Sequence, residues 1–473
     1  MADQPDERRS NAPPLPSIIL ARHERTFVPA RVRQFVQVFI STEATSGLVL
    51  LAAALAALVW VNSPWGDSYD DLWHTLIVID LGIVSIVEDL QHLVNDGLMT
   101  VFFFVVGLEI KREFVHGELA HPRRAMLPVA GAIGGVMAPA LIFTSLNLGG
   151  PGERGWGIPM ATDIAFAVGV MAIAGTRVPL GLKIFVLGLA IVDDIAAILV
   201  IAVFYTSDLA FDWLGFAGFC LATIYAMNSR GVRTVNVYVA VGVVMWVAML
   251  KSGVHPTITG VVLGLLTPAR PFYDPATFAE VARSLVDRFQ EALASGSKND
   301  QENLLEQIED LTTGSQAPLD SLEHALHVWV SYGVMPLFAL ANAGVELSPG
   351  SIEAAVSSAT AQGVYFGLVF GKLGGIVLVS WLAVRLGIAT LPTGTTWRHM
   401  VGAGLVCGIG FTVSLFITGL AFDQPELVDE AKVAILAGSL TAGLAGFLYL
   451  RFAAPAQAGP EPAALQAAQA EAS

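Results

Sequence analysis

The sequence predicts an all-α polytopic membrane protein with about twelve transmembrane helices, and three observations support this. First, 54% of the 473 residues are hydrophobic and only 14% are charged, whereas soluble proteins carry roughly 25% charged residues. Second, the chain contains twelve apolar segments, most of them long enough to cross a bilayer. Third, the basic residues fall almost entirely in alternate connections between these segments.

The twelve apolar segments follow one another with short connections, apart from one long insert. A helix rises ~1.5 Å per residue, so about twenty residues cross the ~30 Å hydrocarbon core. The predicted segments lie near residues 44–62, 95–116, 125–147, 156–175, 181–205, 211–228, 235–250, 254–268, 324–345, 361–386, 398–422 and 430–452.

The basic residues predict the orientation. Of the 25 Lys and Arg residues, 21 lie in the N-terminal stretch, at the C-terminal end or in every second connection. The opposite connections hold only Arg154, Lys251 and Lys432, and Lys372 lies inside a segment. Because basic residues concentrate in cytoplasmic loops, both termini are predicted to be cytoplasmic.

The remaining regions are predicted to lie outside the bilayer. Residues 1–34 carry six arginines and, like residues 453–473, are predicted to be disordered cytoplasmic tails. An external hairpin is predicted near 75–90 within the membrane part 35–270, because Gly82 separates two β-branched runs there. Residues 271–323 form an acidic cytoplasmic insert before the last four spans, 324–452. Its helical patterning fits a solvated helix pair, or a regulatory module.

Two adjacent aspartates stand in the middle of the fifth segment, FVLGLAIVDDIAAILVIAVFY. A carboxylate at this depth costs at least ~2.5 kcal/mol, so Asp193 and Asp194 are predicted to be functional. Lys372 in the tenth segment is too far from either end to reach the interface. Its expected partner is this aspartate pair, and a purely charge-neutralising ion pair is the alternative.

Two segments, one in each half of the chain, are predicted to be interrupted. In GWGIPMATDIAFAVGV, Pro159 precedes Thr162 and Asp163, which are residue types that cap helices. In GLVCGIGFTVSLF, Gly408 and Gly410 interrupt the apolar run. Irregular backbone at membrane depth is tolerated where it lines a cavity, so the two interruptions indicate a transporter binding site. Close helix packing through small residues is the alternative explanation for either one.

Charged and imidazole side chains cluster at the predicted cytoplasmic ends of two segments. Glu109 and Glu113 share a helix face at the end of the second segment, and Glu323, His324 and His327 begin the ninth. Such groups can titrate between pH 5 and 8, which suits a pH gate. The alternative is ordinary surface charge.

Several function classes are disfavoured by the sequence. No Gly-rich phosphate loop, zinc-protease motif or serine elbow is present, which argues against ATP-driven or hydrolytic activity. An intramembrane aspartyl protease needs aspartates that face one another, whereas Asp193 and Asp194 lie ~100° apart on one helix. Two cysteines, Cys220 and Cys407, are too few for a disulfide framework or a cysteine metal site. A sodium-coupled symporter of an organic anion remains the main alternative to exchange, and a channel filter is not recognisable.

The chain resembles the NhaA-type sodium/proton antiporters of bacteria. The matching runs appear in family order: VGLEIKREFVHGEL, GWGIPMATDIAFAVGV, IFVLGLAIVDDIAAILVIAVFYTSDL, LKSGVHPTITGVVLG, HALHVWVSYGVMPLFALANAGVEL and LVCGIGFTVSLFI. The resemblance implies inverted-topology repeats whose two discontinuous helices cross. It also implies pH-regulated, electrogenic exchange of Na⁺ or Li⁺ for H⁺ across the inner membrane. The implied partners are these ions, the lipid bilayer and a second copy of the chain, with no cofactor and no nucleic acid.

The resemblance also assigns roles to residues. Asp194 is implied as the main Na⁺ and proton ligand, with Asp193 beside it paired to Lys372. Thr162 and Asp163 are implied to lie at the crossing, where Asp163 offsets helix N-termini and Lys372 offsets C-termini. The implied pH-sensing residues are Glu109, Glu113, Glu323, His324 and His327.

Three features depart from better-studied members: Leu373 replaces a proline, the insert 271–323 is longer, and the N-tail is extended. These departures bear on the pH profile and regulation rather than on the transport site.

Overall fold

The computed structural model describes residues 43–80, 85–206, 209–232 and 235–454, and most of them are helical. The predicted tails 1–34 and 453–473 lie outside these residues, except for 453 and 454. Up to the insert, the helices are α1 (Glu43–Val61), α2 (Gly66–Trp73), α3 (Leu90–Val115), α4 (Pro122–Asn147), α5 (Ile164–Ala174), α6 (Leu180–Phe204), α7 (Phe211–Ser229), α8 (Val235–Ser252) and α9 (Thr257–Leu266). They are followed by α10 (Pro275–Ser295), α11 (Lys298–Gly314), α12 (Pro318–Asn342), α13 (Pro349–Ser357), α14 (Ala359–Arg385), α15 (Trp397–Val406), α16 (Phe411–Ala421) and α17 (Pro425–Ala453).

Short segments of other helix types lie within and between these helices. Three 3₁₀ segments are Glu118–Ala120, Glu153–Met160 and Gly175–Arg177. Four long helices contain π-helical turns: Val94–Leu98 in α3, Val330–Val334 in α12, Gly367–Gly371 in α14 and Tyr449–Ala453 in α17. A π turn adds one residue to the helix and often marks a functional position.

The chain is a multi-pass membrane protein by the length and apolar character of its helices. Among the described residues, seven helices can cross a bilayer, and two bent helix pairs raise the number to nine. Helices α7, α8 and α9 match three further predicted segments but are shorter or less apolar, so the count of twelve stays a prediction. Large apolar side chains point outward from several helices, among them Val59, Leu141 and Leu440. Such a surface suits lipid rather than water.

The connection after α1 contains a short helix, α2, in addition to a pair of strands. Pro64 ends α1, and α2 then turns by 115° relative to it. Strands β1 (Leu76–Asp80) and β2 (Ser85–Asp89) follow as an antiparallel pair in which Val78 lies opposite Val87. The turn residues of this hairpin, 81–84, lie outside the described residues.

Two three-helix units dominate the core. One unit contains α4, the Glu153–Met160 segment with α5, and α6, and the other contains α14, α15 with α16, and α17. Helices α4 and α14 pack directly together, and Gly134 faces Gly375 at their contact. A Cβ on Gly134 would lie 2.1 Å from the Gly375 carbonyl oxygen, and the reverse distance is 2.0 Å. Only glycine permits this approach of the two units.

The insert is a helix pair made of α10 and α11. Leu285, Ala292, Leu304 and Leu311 form its small core. The α10 N-terminus is capped by the Asp274 carboxylate, which accepts hydrogen bonds from the amides of Ala276 and Thr277 at 2.9 and 2.8 Å. These bonds, chiefly those from Thr277, hold the pKa of Asp274 below its usual range.

The insert ends earlier than the predicted boundary at residue 323. Helix α12 begins at Pro318, where proline occupies the first turn and its fixed φ suits a helix start. The first turns of α12 are amphipathic, so an apolar search begins the segment several residues too late. Glu323 therefore belongs to the ninth predicted segment and not to the insert.

Candidate functional site

A buried ion pair joins the two three-helix units. The Lys372 ammonium on α14 lies 2.5 Å from Asp193 Oδ2 on α6, and both side chains are 0% exposed. Removing two charges from water is costly, and their mutual attraction offsets this only in close geometry with further hydrogen bonds. The structure thus places Lys372 against Asp193, one of the two predicted partners.

Thr162 supplies one of those further hydrogen bonds. It lies in the extended stretch between the Glu153–Met160 segment and α5, and its Oγ1 is 2.8 Å from Asp193 Oδ2. The same hydroxyl lies 3.0 Å from the Cys407 carbonyl oxygen at the end of α15. A hydroxyl carries one proton and can serve only one of these acceptors at a time. Asp193 Oδ1 has no hydrogen-bond partner among the described residues.

Asp163 links the N-termini of α5 and α16. Its Oδ1 accepts from the Phe166 amide at 3.2 Å, and its Oδ2 accepts from the Thr412 amide and hydroxyl at 3.1 and 2.5 Å. The Asp163 amide donates to the Ile409 carbonyl at 2.7 Å. A carboxylate between two helix N-termini is stabilised by both capping bonds and both helix dipoles.

The two interruptions meet through these contacts. Residues 161–163 are extended between helical segments, and residues 407–410 separate α15 from α16, which are bent by 47°. Ser414 Oγ donates to the Ile158 carbonyl at 2.7 Å and adds a further bond between the two regions. Polar backbone groups freed by each interruption are in this way satisfied by side chains of the other.

Asp194 differs from its neighbours because no described residue donates a hydrogen bond to its carboxylate, although it is only 3% exposed. It interacts electrostatically with Asp193, Glu109 and Asp163, which repel a negative charge, and with Lys372, which attracts one. A buried carboxylate without donors favours either a proton or a cation at its oxygens. The site can therefore exchange one for the other.

A comparison with known families identifies the family of this chain. The family model described as Na⁺/H⁺ antiporter 1 matches residues 37–450. The chain belongs to this family. Its members are transporters and not enzymes, which decides against the protease hypothesis.

Relatives of the antiporter are similar over nearly the whole chain. The Na(+)/H(+) antiporter NhaA 2 of Sorangium cellulosum is 48% identical over 94% of this chain and 97% of its own length. The Na(+)/H(+) antiporter NhaA of Oleidesulfovibrio alaskensis is 47% identical over 87% and 92%, respectively. That of Rhodopirellula baltica is 46% identical over 88% and 93%.

The predicted cytoplasmic cluster of the antiporter is only partly assembled. Glu323 on α12 is buried and forms an ion pair with Arg112 on α3, and Glu113 lies 3.9 Å from the same guanidinium. Glu109 lies on the same helix as Arg112 and interacts electrostatically with Asp194. His324 and His327 are exposed and do not enter the Arg112–Glu323 pair.

A surface cavity adjoins this cluster at the base of the insert. It has a volume of about 510 Å³ and is lined by His116, Asp320 and His324, among others.

Lys111 at the end of α3 donates to the Leu265 carbonyl at 2.8 Å and thereby caps the C-terminus of α9.

Sequence reasoning missed two residues that the geometry makes prominent. Thr412 contacts Asp163 with two hydrogen bonds, and its place directly after a Gly-rich interruption is typical of a helix start. Arg112 pairs with Glu323, and no sequence pattern indicated this partner.

Proposed function

We propose that the chain extrudes Na⁺ across the bacterial inner membrane in exchange for protons that move inward, with Asp194 as the shared ligand. The observation that carries this proposal is the buried Asp194 carboxylate, to which no described residue donates a hydrogen bond. Its neighbour Asp193 already has two partners, Lys372 and Thr162. Both of these partners contact Oδ2, so Asp193 keeps one oxygen, Oδ1, for an ion, whereas neither oxygen of Asp194 accepts a hydrogen bond from a described residue.

Competition for one carboxylate couples the two ions without ATP. Burial and the nearby carboxylates favour the protonated form of Asp194, and an arriving cation favours its charged form. Na⁺ is a hard cation that suits carboxylate, hydroxyl and carbonyl oxygens, as does Li⁺. The Thr162 hydroxyl oxygen lies 2.8 Å from Asp193 Oδ2 and can join the two carboxylates in a suitable ligand set. No resident cofactor is needed.

The Asp193–Lys372 pair supplies a second proton-linked step and makes exchange electrogenic. When a cation arrives, its charge competes with the ammonium for the Asp193 carboxylate. Lys372 then leaves the pair and releases its proton to the side from which the cation came. Together with the proton released by Asp194, more than one proton is exchanged for each Na⁺, so net charge crosses the membrane. Asp163 accepts hydrogen bonds at the N-termini of α5 and α16 and offsets their partial positive charge.

For the architecture, we propose twelve spans with cytoplasmic termini and two inverted repeats, which are the two three-helix units. The interruptions at 161–163 and 407–410 are then the points where two discontinuous helices cross. Support comes from the matching order of helices in both units and from the Asp163–Thr412 and Thr162–Cys407 contacts. Rocking of one unit against the rest of the protein alternates access to Asp194.

Regulation by pH is proposed to act through Glu109, Glu113, Glu323, His324 and His327. Two features support this: the Arg112–Glu323 pair ties α3 to α12, and α3 also carries Glu109, which interacts with Asp194. Protonation at the cytoplasmic end of α3 can thus change the electrostatic potential at Asp194.

We further propose a homodimer that forms through the hairpin. Leu76, Val78 and Val87 are exposed, with exposed fractions of 67%, 65% and 52%. Two strands alone are marginally stable, and pairing with a second copy would cover these side chains.

The test is proton flux in inside-out vesicles with an acidic lumen, prepared from cells that lack other Na⁺/H⁺ antiporters. Addition of NaCl or LiCl, but not KCl, is expected to release the quenched fluorescence of a pH dye. Asp194→Asn should abolish this response because the amide cannot exchange a proton for a cation. The control is Asp71→Asn, which changes an exposed aspartate of α2 and should leave exchange intact.

Two outcomes would contradict the proposal. Exchange retained by Asp194→Asn at any pH from 6.5 to 9 would remove Asp194 from the site. Sodium movement without proton movement in the unaltered protein would point to a sodium-coupled symporter.

A further inference from the structure

The π-helical turn Gly367–Gly371 ends at the residue before Lys372. The Lys372 amide donates to the Gly367 carbonyl, five residues back, instead of four as in an α-helix. Such a turn adds one residue, so everything after it is rotated by ~100° relative to an uninterrupted helix. The turn therefore determines which face of α14 carries Lys372.

Two glycines of the turn lie against prolines of other segments. A Cβ on Gly371 would lie 2.8 Å from Pro139 Cα and 2.9 Å from Pro139 N on α4. A Cβ on Gly367 would lie 2.7 Å from Pro159 Cβ and 2.9 Å from its Cγ, in the Glu153–Met160 segment. Contacts this short are not accommodated, so a larger residue at either position must push α14 away.

The same turn lies between the two interruptions. Pro159 comes just before the extended residues 161–163 that carry Thr162. On the other side, a Cβ on Gly408 would lie 2.6 Å from the Leu368 carbonyl oxygen, so this carbonyl is packed on the 407–410 interruption. Thus one helical turn contacts both interruptions and leads directly into the lysine of the buried ion pair.

We propose that Gly367 and Gly371 are positioning residues for Lys372. By seating the π turn on Pro159 and Pro139, they place the ammonium 2.5 Å from Asp193. The groups that interact with this ammonium are Asp193 and Asp194 on α6 and Cys407 after α15, and Thr162 shares the Asp193 oxygen that Lys372 contacts. The inference rests on the proposed role of the Asp193–Lys372 pair in exchange.

The chain offers a matched control two residues beyond Lys372. A Cβ on Gly374 meets no atom within 4 Å, although Gly374 lies on the same helix. Gly371→Ala and Gly374→Ala therefore add the same methyl group to one helix, and only the first displaces the π turn. General effects of alanine on α14 are the same in both variants.

The experiment measures exchange in inside-out vesicles for Gly371→Ala, Gly367→Ala, Gly374→Ala and Lys372→Met. The rate per folded transporter should fall roughly tenfold to a hundredfold in the first two, because a misplacement near 1 Å has that effect. Their pH of half-maximal exchange should rise, as in Lys372→Met, because the ammonium no longer stabilises the Asp193 carboxylate. Gly374→Ala should match the unaltered protein in both quantities.

A purely structural role would reduce the amount of folded protein without moving the pH profile. An unchanged profile in folded Gly371→Ala, or an equal effect of Gly374→Ala, would overturn the inference. If Gly371→Ala does not fold, a double-mutant cycle replaces it. Tm is then measured for the unaltered protein, Gly367→Ala, Lys372→Met and the double variant. The glycine effect should shrink when Lys372 is absent, and full additivity would contradict a role through Lys372. A normal profile in Lys372→Met itself would instead overturn the proposed function of the ion pair.

Discussion

Among the described residues of the antiporter, two ion pairs made by Lys or Arg join different helices, and their surroundings are opposite. Lys372–Asp193 lies at the centre of the protein, with both side chains 0% exposed. Arg112–Glu323 lies at the predicted cytoplasmic edge, where the Arg112 side chain is 36% exposed and that of Glu323 is 11% exposed. Water and salt weaken the outer pair, whereas the inner pair has only protein groups around it.

Because of this difference in burial, the two ion pairs suit different roles. A fully buried pair cannot lose one partner without leaving an uncompensated charge, so it changes state only when a cation or a proton replaces that partner. A half-exposed pair can open at low cost, so it can respond gradually to pH and ionic strength. The inner pair suits the transport step, and the outer pair suits its regulation.

Breaking the inner pair should have the largest effect on stability. Lys372→Met leaves the Asp193 carboxylate buried and unpaired, which is expected to cost about 3–5 kcal/mol at neutral pH. Adding Asp193→Asn removes the orphaned charge and should recover much of the lost Tm. Thermal unfolding of the purified protein in detergent measures both changes.

Lys298→Met is the control for this comparison because Lys298 is exposed on the insert. It should leave Tm within the error of the measurement. A double variant no more stable than Lys372→Met alone would show that the ammonium does not compensate Asp193.

Breaking the outer pair should change regulation more than stability. Arg112→Gln and Glu323→Gln are each expected to cost no more than about 1 kcal/mol, as is usual for partly exposed pairs. The pH profile of exchange should shift, and added choline chloride should shift the unaltered protein in the same direction by screening the pair. Arg288→Gln in the insert makes the same charge change at an exposed position and should not shift the profile. If Arg112→Gln or Glu323→Gln lowered Tm as much as Lys372→Met does, the two ion pairs would not differ in their contribution to stability.

The inner site was largely predictable from sequence, and the outer one was not. Charges at membrane depth are so few that Asp193, Asp194, Asp163 and Lys372 could be picked out from polarity alone. Arginines and glutamates at a surface are common, so nothing in the sequence singled out Arg112 as the partner of Glu323.

The parts of the fold that sequence reasoning missed depend on backbone geometry. The π turn before Lys372 adds one residue without changing the apolar character of the segment, so the pattern of apolar residues does not reveal it. The glycines at 367 and 371 are visible in the sequence, but only the contact with Pro159 and Pro139 shows what they do.

The smallest predicted effect concerns the insert, the helix pair α10 and α11. Asp274 has a pKa below its usual range because the amides of Thr277 and Ala276 donate to its carboxylate. Because its pKa is depressed, the charged Asp274 cap stabilises α10 at pH values above about 4, the ordinary pKa of aspartate. This stabilisation is lost as the pH falls below that value. Asp274→Ala should therefore speed hydrogen exchange of the Ala276 and Thr277 amides at pH 7, while Na⁺/H⁺ exchange and the Tm of the membrane part stay unchanged. A shifted pH profile in this variant would mean that the insert is coupled to the Arg112–Glu323 pair. One short connection separates the insert from α12, which begins at Pro318 and carries Glu323.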